Sequence, residues 1–182
     1  CLLSTTRNSD MTQSQIEQFL MQELGLKKIL WLNHGALIGD DTDAHIDTLA
    51  RFCAVDTIAY VKCKDSQDIH YQILKRMEDE LKEFKDLSGK KYKLVALPMP
   101  DPCYDQKGNR LPATYANFLL VNDGVLVPIY GVRQDQEALN RIQNIFPKRR
   151  VIGVDCLPLI QQNGSLHCIS MQYPSAVKIM LE

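Results

Sequence analysis

Apolar residues recur at helical spacing in three stretches of this chain, and they alternate or run together in the stretches between. In the first stretch, Thr12-Gln13-Ser14-Gln15 has the form of a capping box, in which a hydroxyl and an amide satisfy orphan N–H groups at a helix start. Met11 and Ile16 suit a hydrophobic staple. Ile16, Phe19, Leu20 and Leu24 follow on one face, and Gly25 supplies a stop. A second helix is predicted from near Ser66, with Ile69, Ile73, Leu74, Met77, Leu81 and Phe84 as its stripe and Ser88-Gly89 as its end. A third begins near Asp135, with Ala138, Leu139, Ile142 and Phe146 inward and Pro147 as the break.

Each helix is followed by a Gly or Pro, a basic doublet and an apolar strand. The doublets are Lys27-Lys28, Lys90-Lys91 and Arg149-Arg150, and the strands cover 29–32, 92–97 and 151–154. The doublets recur after about 60 residues. Further strands are predicted at 52–62, 117–122, 125–129 and 166–172, and Asn122-Asp123-Gly124 makes the middle two of these a hairpin. The unit is therefore strand, strand, helix, strand, and roughly three such units, some partial, fit the chain. A repeated α/β unit of this size points to a radial or stacked assembly. The alternative is an ordinary α/β domain with evenly spaced elements.

Composition narrows the classes. The chain has 182 residues, 45 % hydrophobic and 24 % charged, with a formal net charge of -1. That is ordinary for a globular protein and gives no pull toward nucleic acid or an anionic membrane. No apolar run approaches the roughly 20 residues of a membrane helix. Six cysteines, at 1, 53, 63, 103, 156 and 168, form no CxxC pair, which argues against a zinc knuckle. The expectation is reduced thiols and a cytoplasmic location, with Cys53 and Cys63 as small buried hydrophobes. Cys1-Leu2-Leu3 reads like the inside of a strand, so chain is expected to be missing upstream. Leu181-Glu182 reads as a remnant preceding a purification tag.

Two segments carry candidate chemistry. Asn163-Gly164-Ser165-Leu166-His167-Cys168 sets a cysteine beside a polar glycine turn, where Gly164 permits an unusual backbone. About 120 residues earlier, Asp40-Asp41-Thr42-Asp43-Ala44-His45-Ile46-Asp47 sets an imidazole two residues from a carboxylate. In a strand His45 and Asp47 share a face. Cys168 as nucleophile, His45 as proton carrier and Asp47 as carboxylate suit attack on a cationic carbon such as that of a guanidinium. The plainer reading of the acidic segment is a solvated turn before a helix. A calcium loop is a third reading, poorly supported because the required glycine and terminal Glu are missing. His167 is set aside as structural, because adjacent residues of a strand face opposite ways. His34 and His70 have no constellation and are assigned no role. Tyr115 and Asn117 either orient a substrate or close a loop onto the core.

Several segments together resemble one family: Trp31-Leu32 with Gly35, Asp41-Thr42 through His45-Ile46-Asp47, Leu97-Pro98-Met99-Pro100, Leu111 through Phe118, Val127-Pro128-Ile129-Tyr130-Gly131, and Gly164 with Leu166-His167-Cys168-Ile169, Gln172 and Pro174. The set is similar to the agmatine deiminase family, which includes the bacterial-type peptidylarginine deiminases, within the guanidine-modifying or pentein superfamily. The resemblance implies an α/β propeller of five units, of which this chain would hold about the C-terminal half. It implies Cys168 as nucleophile, His45 as general acid/base, and Asp47 as a carboxylate that holds guanidinium nitrogens; Gly164 and Asn117 are further candidates for the substrate site. Asp43-Ala44 and Gln162-Asn163 depart from the usual Asn-Gly and Gly-Gly, which bears on the pocket for the substrate tail. A guanidinium has a pKa above about 12, so Asp47 would pair with its N–H fork. Cys168 would attack the central carbon, His45 would protonate the departing ammonia, and water would hydrolyse the thiouronium to a ureido product. No metal or organic cofactor is required. The substrate would be agmatine, giving N-carbamoylputrescine, or alternatively arginine in peptides. A third possibility is an inactive fragment that only binds or assembles, and a chain cut at missing units could self-associate into a homo-oligomer.

Overall fold

A computed structural model describes residues 1–40, 44–173 and 177. Asp41, Thr42, Asp43, Pro174 and Leu181-Glu182 lie outside the described residues, and with them part of the acidic motif and the expected tag remnant.

The repeat is real in two complete copies. The first runs β1 (Ala50–Ala54), β2 (Thr57–Lys62), α2 (Tyr71–Glu83), β3 (Lys93–Pro98). The second runs β4 (Leu119–Val121), β5 (Gly124–Ile129), α3 (Asp135–Ile145), β6 (Arg150–Asp155). In each copy the first two strands form an antiparallel hairpin, and the third lies parallel to the second beyond the helix. The registers correspond: Thr57 faces Lys93 and Lys62 faces Pro98, as Gly124 faces Arg150 and Ile129 faces Asp155. Even the hairpin turns match, since the carbonyls of Asp56 and Asp123 accept from the N–H groups of Lys93 and Arg150 at 2.8 and 3.0 Å.

Two core clusters form, one under each helix, and the second also takes in Ala59 and Leu97 of the first copy. α2 buries Leu74, Met77 and Leu81 against Ile58, Tyr60 and Val61 of β2. α3 buries Ala138 and Ile142 beside Val125 and Val127 of β5, with Phe118 and Phe146 meeting edge-on at 5.9 Å between ring centres. Burial of the middle strand is heavy because it is paired on both edges, antiparallel on one and parallel on the other, and a helix covers it.

α1 (Gln13–Leu24) forms as predicted, with the Thr12–Gln15 capping box closed and Gly25 left-handed at φ 64°. Other expectations are corrected. The stretch 29–32 is not a strand; just beyond it, the N–H groups of Asn33 and His34 go to the Glu80 carboxylate of α2 at 3.0 and 2.9 Å. α2 starts at Tyr71 rather than near Ser66, because the carboxylates of Asp65 and Asp68 take the N–H groups of Gln67 and His70 in local turns. It stops at Glu83, since Phe84 is extended, and Ile69 points to solvent. Cys1-Leu2-Leu3 is exposed and forms no strand. The stretch 166–172 is not a strand either: Asn163 is left-handed at φ 61°, Leu166 is helical, and His167–Ile169 forms a 3-10 turn. A short helix not foreseen, α4 (Leu157–Ile160), leads into it with Pro158 in its first turn. Among the described residues, no helix is long and apolar enough to cross a membrane.

Candidate active site

Three 3-10 turns occupy related places in the repeat. Ile46–Thr48 precedes β1, Tyr115–Asn117 precedes β4, and His167–Ile169 follows β6 and α4. Each contributes one polar side chain to a common point: Asp47, Asn117 and Cys168. A buried chain of hydroxyls holds the turns together. Thr114 Oγ1 donates to the Thr48 carbonyl at 2.8 Å, and Tyr130 Oη donates to the Thr114 carbonyl at 2.9 Å. Ser165 Oγ lies 3.0 Å from the same phenol. Tyr130 is itself positioned at the end of β5, where its N–H and those of Gly131 and Val132 point at the Asp135 carboxylate that opens α3. Burial pushes the Tyr130 phenol up, so it stays neutral in this chain.

Cys168 is exposed, and its Sγ lies 3.9 Å from Asp47 Oδ2 and 3.5 Å from Asn117 Nδ2. Asn117 Nδ2 also donates to Asp47 Oδ2 at 3.0 Å, while Asn117 Oδ1 accepts from the His167 N–H at 2.8 Å. His167 Nδ1 is 2.8 Å from the same Asp47 oxygen. The carboxylate can only accept, so that ring nitrogen carries the proton. Burial pushes up the thiols of Cys53, Cys63, Cys103 and Cys156, which makes them poor nucleophiles.

Two glycines shape the surroundings. A Cβ on Gly164 would lie 3.3 Å from Cys168 Cβ and 3.8 Å from its Sγ. Gly164 has no left-handed backbone; the adjacent Asn163 does. The glycine therefore matters for space beside the thiol, not for the turn conformation expected of it. Gly39, at φ 86°, carries the chain past the Arg110 carbonyl on the way to Asp47, where a Cβ would come within 2.4 Å of that oxygen.

The sequence-derived set is only partly assembled. Cys168, Asp47, Asn117 and Gly164 converge. His45 and Asp47 do not share a strand face: His45 caps the first 3-10 turn, because the Thr48 hydroxyl and N–H both close onto its carbonyl. Its Nε2 meets Arg7 Nη2 at 2.9 Å. Asn117 is fully buried with both ends of its amide engaged, so it braces the site rather than facing a ligand. Tyr115 is also fully buried and donates to Asp135 at 2.6 Å, a core role. Sequence reasoning missed His167, because a strand would have turned it away. It also missed Arg51 of β1, whose Nη1 donates to the Phe118 carbonyl at 2.8 Å with the guanidinium 5.0 Å from the Phe118 ring centre. Burial lowers the Arg51 guanidinium from its ordinary value, while the negative charge of Asp47 opposes that. His45-x-Asp47 was visible as a signal; the long-range bond from Asp47 to His167 had none. Among the described residues, no cluster of His, Cys, Asp and Glu is arranged to hold a metal ion.

Comparison with known proteins adds a second line. Residues 1–174 match the family of Porphyromonas-type peptidyl-arginine deiminases. A Legionella pneumophila (strain Paris) protein provisionally named agmatine deiminase is 36 % identical, with 98 % of this chain matched to 51 % of its length. A crystal structure from Porphyromonas gingivalis, provisionally described as an arginine deiminase, superposes with a TM-score of 0.93 at 52 % identity, covering 96 % of this chain and 51 % of that one. A cysteine-to-serine variant of the C. jejuni agmatine deiminase, solved with substrate bound, has a TM-score of 0.86 at 44 % identity, covering 92 % and 48 %. The chain thus spans about half the length of the curated relatives it matches. Match and geometry together assign this chain to the Porphyromonas-type peptidyl-arginine deiminase family.

Proposed function

We propose that this chain carries the nucleophile of an enzyme that hydrolyses a guanidinium group. The observation that supports it most directly is the placement of an exposed thiol 3.9 Å from a carboxylate oxygen, both fixed by one buried amide. A planar cation laid between Asp47 and Cys168 has its N–H edge paired with the carboxylate and its carbon open to sulfur. The Cys168 thiolate adds to that carbon, and the C–N bond to the departing nitrogen breaks. That nitrogen leaves as ammonia with a proton supplied by His45. The resulting thiouronium adds water, which His45 deprotonates; the C–S bond breaks, and a ureido product and the free thiol are released. In the free chain His45 Nε2 is engaged by Arg7, so proton transfer uses Nδ1 or a ring turned away from Arg7. In the whole protein the fold extends to a ring of five related units, with the three converging turns near its axis.

Agmatine is the substrate favoured by the names of the relatives, and peptidyl arginine the one favoured by the family's name. The bound substrate in the C. jejuni cysteine variant is what a nucleophilic cysteine predicts, since its loss traps substrate. Ammonia release by the full-length protein, offered agmatine, arginine and peptidyl arginine in parallel, tests both assignments. Cys168→Ser and His45→Ala should each abolish release. Wild-type rates in either variant would refute the assigned role.

A further inference from the structure

Three hydrogen bonds close a ring around the candidate carboxylate. His167 Nδ1 and Asn117 Nδ2 both meet Asp47 Oδ2, and the His167 N–H returns to Asn117 Oδ1. His167 enters this ring twice, once through its side chain and once through its backbone. It is also the residue bonded to Cys168. A carboxylate on its own turns easily about its last torsion, and an oxygen that rotates by a few tenths of an ångström no longer presents a fixed edge to a guanidinium. Two donors from two different turns remove that freedom. Both take Oδ2, which among the described residues leaves Oδ1 as the oxygen open to an incoming N–H.

We infer that His167 is a positioning residue: through its Nδ1–H it fixes the Asp47 carboxylate at a set distance and angle from the neighbouring nucleophile, Cys168, and so selects for a planar cation. This rests on the guanidine-hydrolase reading of the same site. It has a specific chemical corollary. The neutral ring must be the Nδ1–H tautomer, the less favoured form in water, because Asp47 accepts and cannot donate.

The test uses the full-length protein and two probes of Cys168: a haloacetamidine, which is a planar cation like the substrate, and iodoacetamide, which is neutral. The ratio of their labelling rates reads the carboxylate's placement without requiring turnover. His167→Leu should cut that ratio roughly 10- to 100-fold, the worth of one charge-assisted hydrogen bond, with iodoacetamide labelling unchanged. His167→Asn sets an amide N–H near the position of Nδ1 and should restore the ratio to within about threefold of wild type. An unchanged ratio in His167→Leu overturns the inference, as does a His167→Asn variant as impaired as His167→Leu. Should His167→Leu fail to fold, side-chain 15N spectra of the wild type still decide: dominance of the Nε2–H tautomer at His167 overturns it. A wild type with no preference for the cationic probe sinks the guanidinium reading itself, a result separable from the others.

Discussion

Asn117→Leu isolates the contribution of one buried amide, because leucine matches asparagine in branching and nearly in size. The side chain is fully buried, so solvent cannot replace its partners. Removing it takes one donor from the Asp47 carboxylate at 3.0 Å and leaves the His167 N–H without its acceptor at 2.8 Å. A hydrogen bond to a charged group contributes about 1.5–3 kcal/mol, and an orphaned buried N–H costs about 1–3 kcal/mol. Two methyl groups in place of the amide return about 1.5 kcal/mol through burial. The net loss is about 1–4.5 kcal/mol. At about 2 °C per kcal/mol for a protein of this size or larger, Tm falls by about 2–9 °C. A calorimetric scan of the full-length protein measures this. Ammonia release should fall at least about 100-fold at temperatures where the variant is folded, because Asp47 and the Cys168 turn lose their common brace. An unchanged or raised Tm would refute the reasoning, since it would mean that the amide acts only as filler. Asn117→Asp gives a signed check: it sets a second carboxylate against Asp47, so its stability should rise as pH falls and one of the pair takes up a proton.

Gly164→Ala introduces no backbone strain but sets a methyl 3.3 Å from Cys168 Cβ; the melting temperature should hold while iodoacetamide labelling of Cys168 and turnover both drop about tenfold or more. Gly39→Ala meets both a φ of 86° and a carbonyl oxygen at 2.4 Å, and should cost about 2–5 kcal/mol in a denaturant titration. His70 is buried with Nε2 accepting the Ile38 N–H at 2.9 Å and Nδ1 against Asp68, which Arg110 also holds. Burial lowers its pKa below 6.5, with Asp68 opposing and Arg110 assisting. The unfolded chain therefore takes up a proton before the folded one, so stability present above 6.5 is lost as pH falls below it. His70→Gln should flatten that slope in urea titrations across pH 7 to 5. Asp68 acts in a separate, lower window: burial would raise its carboxyl, but bonds from Arg110 and His70 outweigh this and hold it at about 2.

Much of the architecture was legible because it is local. The Thr12–Gln15 box, the helical stripe closed by Pro147, and Asn122-Asp123-Gly124 between two apolar runs are interactions among residues within a few positions of each other. They reappear as α1, α3 and the β4–β5 hairpin. The repeat was visible for the same reason, as local signals recurring. Some failures were local, as where Asp65 and Asp68 turns delay the start of α2; elsewhere a contact from far along the chain had intervened. Glu80 draws in the N–H groups of Asn33 and His34, next to the expected strand at 29–32. His167 bonds to Asp47 across 120 positions, and Asn117 bonds to it across 70. Residue types alone could nominate a thiol, an imidazole and an acid. Which of them meet depends on three turns, distant along the chain, being drawn together by the burial of Thr114, Tyr130 and Ser165. Directional bonds between distant segments leave no periodic trace in the chain, because only the closing of the core brings their donors and acceptors within reach.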